Sequence, residues 1–165
     1  PKPQNPSTNF LEFIFKVMVE QDTQSLNPLS NSGRSSQTMF SHSNQGNIKD
    51  VYSFKEKLAN GGFGVVYLAE HRKTHELFAV KAIQKRKVKD YATFVNEINI
   101  LRQLDHPNII KLHEIWEWKD VCFLVLEYCS GGELFNFIID RKHLTEREAA
   151  FIMKQLLSAL VYLHS

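Results

Sequence analysis

The chain has 165 residues, of which 43% are hydrophobic and 23% charged, and its formal net charge is +2. This length favours a single domain, and the composition is that of an ordinary globular protein. Acidic and basic residues are interleaved, which excludes the dense basic face of a dedicated nucleic-acid binder. The one basic cluster, Lys85–Lys87 with Lys89, is expected to be a solvated surface rather than a phosphate-binding stripe.

Two cysteines, Cys122 and Cys129, lie in apolar sequence without the spacing of metal ligands. This usage predicts a reduced, cytoplasmic protein without a metal site. The apolar stretch from Phe10 to Val19 is interrupted by charges and is too short for a bilayer, which requires about 20 apolar residues. We therefore expect no membrane span.

Residues 1–48 are predicted to be an N-terminal extension that is largely disordered. Within it, residues 21–47 are rich in Ser, Asn and Gln and contain few large apolar side chains. Such a segment buries too little apolar surface to offset the entropy lost on ordering. The composition changes after this segment, and residues 49–165 are predicted to form one domain.

Three short strands are predicted next, at Tyr52 to Ala59, Val65 to Ala69 and Leu77 to Ile83. Their short connections, of which the second is polar, indicate an antiparallel meander. From Tyr91 to Leu104, apolar residues recur at three- and four-residue steps, which predicts an amphipathic helix. A proline at position 107 then favours the end of that helix, because the residue before proline disfavours helical geometry.

Two more strands are predicted at Ile109 to Ile115 and at Val121 to Tyr128. A short helix is predicted from Glu133 to Arg141. Thr145 and Glu148 have the spacing of a capping box, which predicts the start of a longer helix. The fold class is therefore α+β, with a five-stranded antiparallel sheet and one helix followed by the first helices of a helical unit.

A glycine cluster lies between the first two strands, in the sequence Leu58-Ala59-Asn60-Gly61-Gly62-Phe63-Gly64-Val65-Val66. A dinucleotide-binding fingerprint requires a helix after the glycines, and a P-loop requires Gly-Lys-Ser/Thr, so both are excluded. Two interpretations stay open. The hairpin either lays its backbone amides over phosphates, where side chains would block close approach, or is an ordinary glycine-rich turn.

Two charged residues lie where apolar residues dominate. Lys81 ends the run Ala79-Val80-Lys81 on the third strand, and Glu97 lies near the apolar face of the helix. A buried ammonium requires an anionic partner, and a Lys81–Glu97 pair would orient the lysine toward a phosphate. Taken singly, each residue is more simply explained by a position at the surface.

These three features, in this order on strands and helix, resemble the phosphate-binding set of the eukaryotic protein kinases. The resemblance runs from about Tyr52 to Ser165. It is strongest to the calcium/calmodulin-dependent and calcium-dependent Ser/Thr kinases, through the phrases NEINILRQLDHPNIIKLHEIWE, LVLEYCSGGELF and LTEREAAFIMKQLLSALVYLHS. It implies a kinase N-terminal lobe followed by the first helices of the C-terminal lobe, with ATP and Mg²⁺ as cofactors.

The resemblance also implies a role for each residue of the nucleotide site. Lys81 and Glu97 are the catalytic pair, and Lys81 contacts the α- and β-phosphates. Leu101 and Leu112 belong to an apolar column that links the helix to the sheet. The implied ATP-binding residues form the glycine loop, the adenine pocket and its mouth: Leu58, Ala59, Asn60, Gly61, Gly62, Phe63, Gly64, Val66, Ala79, Lys81, Leu126, Glu127, Cys129 and Glu133.

The adenine side of that set has more specific implied roles. Leu126 is the gatekeeper at the back of the pocket, and the backbone of Glu127 and Cys129 hydrogen-bonds the adenine edge. Glu133 lies near the ribose and, in basophilic kinases, meets an arginine of the protein substrate. Calcium or calmodulin regulation follows by analogy only.

The sequence departs from the family pattern at two places. Ala59 replaces the first loop glycine, which would be strained if that position requires a positive φ. The His-Arg-Asp, Asn and Asp-Phe-Gly elements do not occur, and the Mg²⁺ ligands are expected beyond Ser165.

This second departure leaves the activity of the polypeptide open. The chain is expected to be truncated before the catalytic loop, so a catalytically inactive, pseudokinase-like module that binds nucleotide or a partner is the alternative function. A non-kinase α+β scaffold would explain the core but not the coincidence of motifs.

Overall fold

The computed structural model describes residues 40, 42–61 and 64–165. They divide into two compact units. The sheet unit contains the described residues up to 105 together with residues 111–128, and the helical unit contains residues 106–110 and 129–165. The predicted apolar stretch from Phe10 to Val19 lies outside the described residues.

The sheet unit is built on a mixed sheet with the strand order β1-β5-β6-β4-β3-β2. All neighbouring pairs are antiparallel except β1 and β5, which are parallel. The strands are β1 (Asn44–Gln45), β2 (Tyr52–Gly61), β3 (Gly64–His71), β4 (Leu77–Gln84), β5 (Leu112–Trp118) and β6 (Val121–Glu127). The five predicted strands and the α+β class are confirmed.

The sixth strand, β1, was not predicted and falls inside the proposed extension 1–48. Its residues, Asn44 and Gln45, have low β propensity, so local sequence gives no strand signal. They pair instead with Trp116 and Glu117 at the outer edge of β5. Phe40 and Ile48, which flank β1, are buried, so at least this part of the extension packs on the sheet. The domain boundary itself stays a prediction.

One face of the sheet carries a core of buried residues around Tyr52. The cluster contains Ile48, Tyr52, Ala69, Val80 and Val125, with partly buried aromatic residues packed against it. Burial raises the pKa of the Tyr52 hydroxyl, which donates a hydrogen bond of 3.1 Å to Glu114. This core fixes the short 3₁₀ turn at Ile48–Asp50 and thereby the start of β2.

Helix α1 spans Tyr91–Gln103, which confirms the predicted helix to within one residue. Asp90 caps its N-terminus by accepting hydrogen bonds from the Thr93 amide at 3.1 Å and the Thr93 hydroxyl at 2.7 Å. These bonds hold the pKa of the Asp90 carboxyl below its usual value. The helix packs against β5, and Ile98 is its one fully buried residue.

The helical unit contains α2 (Leu134–Arg141) and α3 (Glu146–Leu163). The capping box before α3 is confirmed. Thr145 accepts from the Glu148 amide at 3.3 Å, and Glu148 accepts from the Thr145 amide at 2.9 Å. Hydrogen bonds from Thr145 lower the pKa of the Glu148 carboxyl.

The loop at residues 106–110 packs on α3 within the same unit. The His106 ring stacks on Tyr162 with ring centroids 5.1 Å apart and hydrogen-bonds Ser158 at 3.1 Å. Asn108 donates to Gln155 at 3.0 Å.

The same loop explains why β5 begins later than predicted. The Ile109 amide donates to the His106 carbonyl, which makes a turn of the segment where the apolar sequence predicts a strand. Of the helices in the described ranges, none is long and apolar enough to cross a membrane.

Candidate functional site

The glycine-rich hairpin joins β2 to β3, with Gly61 paired to Gly64 at its end. Gly62 and Phe63, which were predicted to cover phosphates, lie outside the described residues. Gly64 has a steric role of its own, because a Cβ placed there would lie 2.0 Å from the backbone oxygen of Ala82 on β4. Glycine at this position therefore allows β3 and β4 to approach each other, independently of any ligand.

Ala59 does not have the backbone strain that a positive φ would cause at this position. Among described non-glycine residues, a positive φ occurs at His75, Lys119 and Lys142. Ala59 lies in β2 and pairs with Val66. Alanine thus fits the backbone at this position, although it replaces a glycine of the family pattern.

The sheet register brings several predicted site residues into one row. Ala59, Val66, Lys81 and Leu124 are successive partners across β2, β3, β4 and β6. Lys81 is half-buried and lies in a row of small and apolar neighbours. A cation in such a setting is a good anchor for an anionic group, since little water competes with it.

A second row on the same face lies two residues further along the strands. It joins Leu68, Ala79 and Leu126, with Leu112 next to Leu126 on β5. Because side chains alternate along a strand, residues two apart face the same side. Val66, Ala79, Lys81 and Leu126 therefore share one face, as a site formed from them requires.

Leu58 and Asn60, two of the residues predicted to bind ATP, are both exposed. Leu58 is 40% exposed and falls at a register irregularity between Lys57 and Ala59. Asn60 is exposed and pairs with Val65 next to the end of the hairpin. Both belong to the hairpin arm that borders the two rows.

Glu97 is half-buried on α1, immediately before the fully buried Ile98. Leu101 is half-buried one turn later, and Leu112 is 6% exposed on β5. The helix that carries Glu97 thus packs on the sheet that carries Lys81. The direct Lys81–Glu97 contact stays a prediction.

Glu127 ends β6 with its backbone amide already engaged. That N–H donates to the Lys111 carbonyl at 2.9 Å, and the Glu127 carboxylate accepts from the Lys111 amide at 3.4 Å. The amide of Glu127 is therefore unavailable as a donor to adenine, which narrows its predicted backbone role to that of an acceptor.

Cys129 and Glu133 belong to the helical unit. Cys129 is half-buried. Glu133 is exposed at the N-cap of α2 and accepts from Asn136 at 3.4 Å. Their predicted contacts with the adenine edge, the ribose and a substrate arginine stay predictions.

The sequence reasoning missed a buried carboxylate, Glu117, which is 2% exposed on β5. Its carboxylate pairs with the Lys85 ammonium at 2.7 Å. The expectation that the basic cluster is a solvated surface is therefore wrong for Lys85, although Arg86 and Lys87 are exposed. The sequence of the strand could have revealed the burial of Glu117, because alternation of side chains places Glu117 on the same face as the buried Ile115.

The two cysteines are expected to differ in reactivity. Cys122 is fully buried, and burial, aided by the charge of Glu117, raises the pKa of its thiol to about 12. At pH 8 roughly one molecule in ten thousand would then carry the reactive thiolate at Cys122.

We expect iodoacetamide to modify Cys129 well before Cys122 under native conditions, as measured by peptide mass spectrometry. Equal rates at the two positions would contradict the burial of Cys122.

Over residues 40, 42–61 and 64–165, no group of three or more His, Cys, Asp or Glu side chains could hold a metal ion.

The family model described as "Protein kinase domain" matches residues 52–165. The chain belongs to the protein kinase family. The N-terminal-lobe architecture of the sheet unit and the helices that follow agree with this assignment.

Similar kinases support the predicted subgroup. A probable myosin light chain kinase of Dictyostelium discoideum is 45% identical over 114 residues, covering 69% of this chain and 36% of that protein. Calcium-dependent protein kinase 3 of Plasmodium yoelii yoelii is 43% identical over 120 residues, or 72% of this chain and 22% of that protein. Calcium-dependent protein kinase 5 of Plasmodium falciparum is 44% identical over 123 residues, or 74% and 22%. This kinase chain thus spans between about a fifth and about a third of the length of each of these relatives.

Proposed function

We propose that this chain is the ATP-binding portion of a Ser/Thr protein kinase that transfers the γ-phosphate of Mg-ATP to protein hydroxyls. The observation that carries the proposal is the row of Ala59, Val66, Lys81 and Leu124, in which one half-buried lysine lies among apolar neighbours beside the glycine hairpin. Membership of the kinase family supports this interpretation.

The residues present fit ATP in their chemistry. The face with Val66, Ala79 and Leu126 offers apolar surface for a purine ring, and Lys81 offers one positive charge for the phosphates. When bound, Mg-ATP supplies the phosphoryl group. The protein contributes positioning and charge stabilisation, which is most of catalysis in this reaction class.

Glu97 is proposed to hold the Lys81 ammonium in place for the phosphates. A lysine side chain has several rotatable bonds, so an anionic partner reduces the number of positions that its ammonium samples. The Glu127 carbonyl is proposed to accept from adenine, since its amide is engaged by Lys111. Cys129 is proposed to contribute its backbone, and Glu133 to meet the ribose or a substrate arginine.

A catalytically inactive module that binds nucleotide or a partner is the second candidate. Both candidates predict ATP binding, and they differ in phosphate transfer. Incorporation of labelled phosphate into a protein substrate by the natural protein, lost in a Lys81→Met variant, would favour the enzyme. Calcium control, a basophilic substrate and a cytoplasmic location are further proposals that rest on analogy and on the cysteine usage of the sequence.

Replacing Lys81 by methionine is expected to weaken ATP binding about tenfold, because a charge-assisted contact with phosphate is lost. Methionine keeps most of the aliphatic volume, so the fold should persist. The measurement is the dissociation constant of ATP by calorimetric titration.

Lys73→Met provides the matched control for this substitution. Lys73 is exposed in the turn between β3 and β4, and the same change there should leave ATP affinity unaltered. Equal affinities for the wild type and Lys81→Met would contradict the proposed site.

A further inference from the structure

Phe40 is buried although it lies well before the residues matched by the kinase family model. It is 3% exposed, and its ring packs edge-on against Phe94 of α1, with ring centroids 6.2 Å apart. We refer to Phe40 and residues 42–45 as the latch. The latch therefore touches the helix that carries Glu97.

The latch is fastened to the sheet through the buried Glu117 carboxylate. One carboxylate oxygen accepts from the Phe40 amide at 2.9 Å and from the Ser43 hydroxyl at 2.7 Å. The other oxygen pairs with the Lys85 ammonium at 2.7 Å. Charge-assisted hydrogen bonds to a buried acceptor are strong, so Phe40 is held firmly in position.

Two further contacts fix the direction of the latch. The Ser43 backbone amide donates to the Phe40 carbonyl at 3.3 Å, which closes the segment into a turn. Asn44 and Gln45 then pair with Trp116 and Glu117 as β1. The latch is thus anchored at both ends on β5, the strand against which α1 packs.

Helix α1 has few other deep attachments. Ile98 is its one fully buried residue. Phe94 and Glu97 are three residues apart on a helix and therefore lie on neighbouring positions of one face. A displacement of α1 at Phe94 would accordingly move Glu97 relative to the sheet.

We propose that Phe40 is a positioning residue for Glu97, and that the latch holds α1 in the place that lets Glu97 act on Lys81. This inference rests on the proposed function, since it deepens the role given to the Lys81–Glu97 pair. It places control of α1 in a segment that precedes the matched kinase domain. Signals that release the latch would then weaken nucleotide binding without touching the nucleotide site.

The test compares Phe40→Ala with wild type in two readouts on the full chain. Hydrogen exchange should become faster in α1, while the strands of the opposite-face core keep their protection. ATP affinity should fall about fivefold, as expected for residues coupled through a shared element. Phe40→Leu, which keeps an apolar side chain at the site, should restore most of both properties.

Phe54→Ala controls for a general loss of stability. Phe54 is a partly buried residue that packs against the core around Tyr52, on the opposite face. The same truncation there should not produce faster exchange confined to α1. If Phe54→Ala and Phe40→Ala change the exchange of α1 equally, the positioning role of Phe40 is overturned.

A double-mutant cycle separates positioning from a direct effect on ATP. If Phe40 acts through Glu97, then Phe40→Ala should change ATP affinity little in a Glu97→Ala background. An undiminished fivefold loss in that background would overturn the proposal. If the wild-type chain binds no ATP, the proposed function fails, and unchanged α1 exchange in Phe40→Ala would independently overturn the latch.

Discussion

Replacing Glu117 by leucine is expected to lower the free energy of unfolding of the sheet unit by about 4 kcal/mol, as for other buried ion pairs that lose one partner. The substitution leaves three donors without their acceptor: the Lys85 ammonium, the Phe40 amide and the Ser43 hydroxyl. Lys85 has a 21% exposed side chain, so its charge is only partly solvated. Urea unfolding is the measurement, followed by the fluorescence of Trp116 and Trp118, which flank Glu117 on β5.

Two comparisons make this expectation specific. Glu70→Leu removes a carboxylate that pairs with Lys55 and His75 at the surface, and such exposed pairs contribute little to stability, so the loss should be far smaller. Adding Lys85→Met to Glu117→Leu should recover part of the loss, because the unpaired charge is then removed as well. Equal unfolding midpoints for Glu117→Leu and Glu70→Leu would show that Glu117 is not buried in solution.

Replacing Gly64 by alanine is expected to cost about 3 kcal/mol, at the upper end of the range for overpacking. The added Cβ would lie 2.0 Å from the backbone oxygen of Ala82, and a backbone atom cannot rotate away as a side chain can. Either β3 moves away from β4 or the hairpin end loses its pairing. The same urea titration measures the loss, and amide exchange of residues 64–66 and 81–83 should locate it.

Gly132→Ala is the matched control for this glycine. A Cβ at Gly132 meets open space, but its φ of +73° makes alanine strained by about 1 kcal/mol. Steric contact at Gly64 should therefore cost more than backbone strain at Gly132. A Gly64→Ala variant as stable as the wild type would disprove the close approach of the two strands.

The β2–β3–β4 meander and the β5–β6 hairpin could be predicted because their signals are local. Each strand is an alternating or β-branched run, and polar turns join β3 to β4 and β5 to β6. The β5–β6 turn contains Lys119 with a positive φ, which tight hairpin turns require but which a lysine does not signal in the sequence. The capping box of α3 is equally local, since Thr145 and Glu148 satisfy each other within one helical turn.

Features that depend on distant residues could not be predicted in the same way. β1 pairs with Trp116 and Glu117, more than seventy residues later in the chain, and the Glu117 carboxylate accepts from Phe40 and Ser43 just before it. The polar composition around β1 instead predicts disorder.

Part of the site follows from strand alternation, and part does not. Alternation alone places Ala79 and Lys81 on one face of β4. The alignment of Ala59 with Val66 and Lys81 depends on register shifts in β2 near Lys57, which pairing reveals and the sequence does not. The roles of these residues toward ATP stay predictions because they depend on a ligand.

The strand order also bears on self-association. The edge of a sheet offers unpaired amides and carbonyls to any other extended chain. Among the described strands, one border is β2, whose register is irregular and which carries Lys55 and Lys57, and the other is the two-residue β1. Both are poor templates for a foreign strand. Without β1, the seven-residue β5 with its two tryptophans would form this border. The latch, which is proposed to hold α1, therefore also shields the kinase sheet from edge-to-edge aggregation.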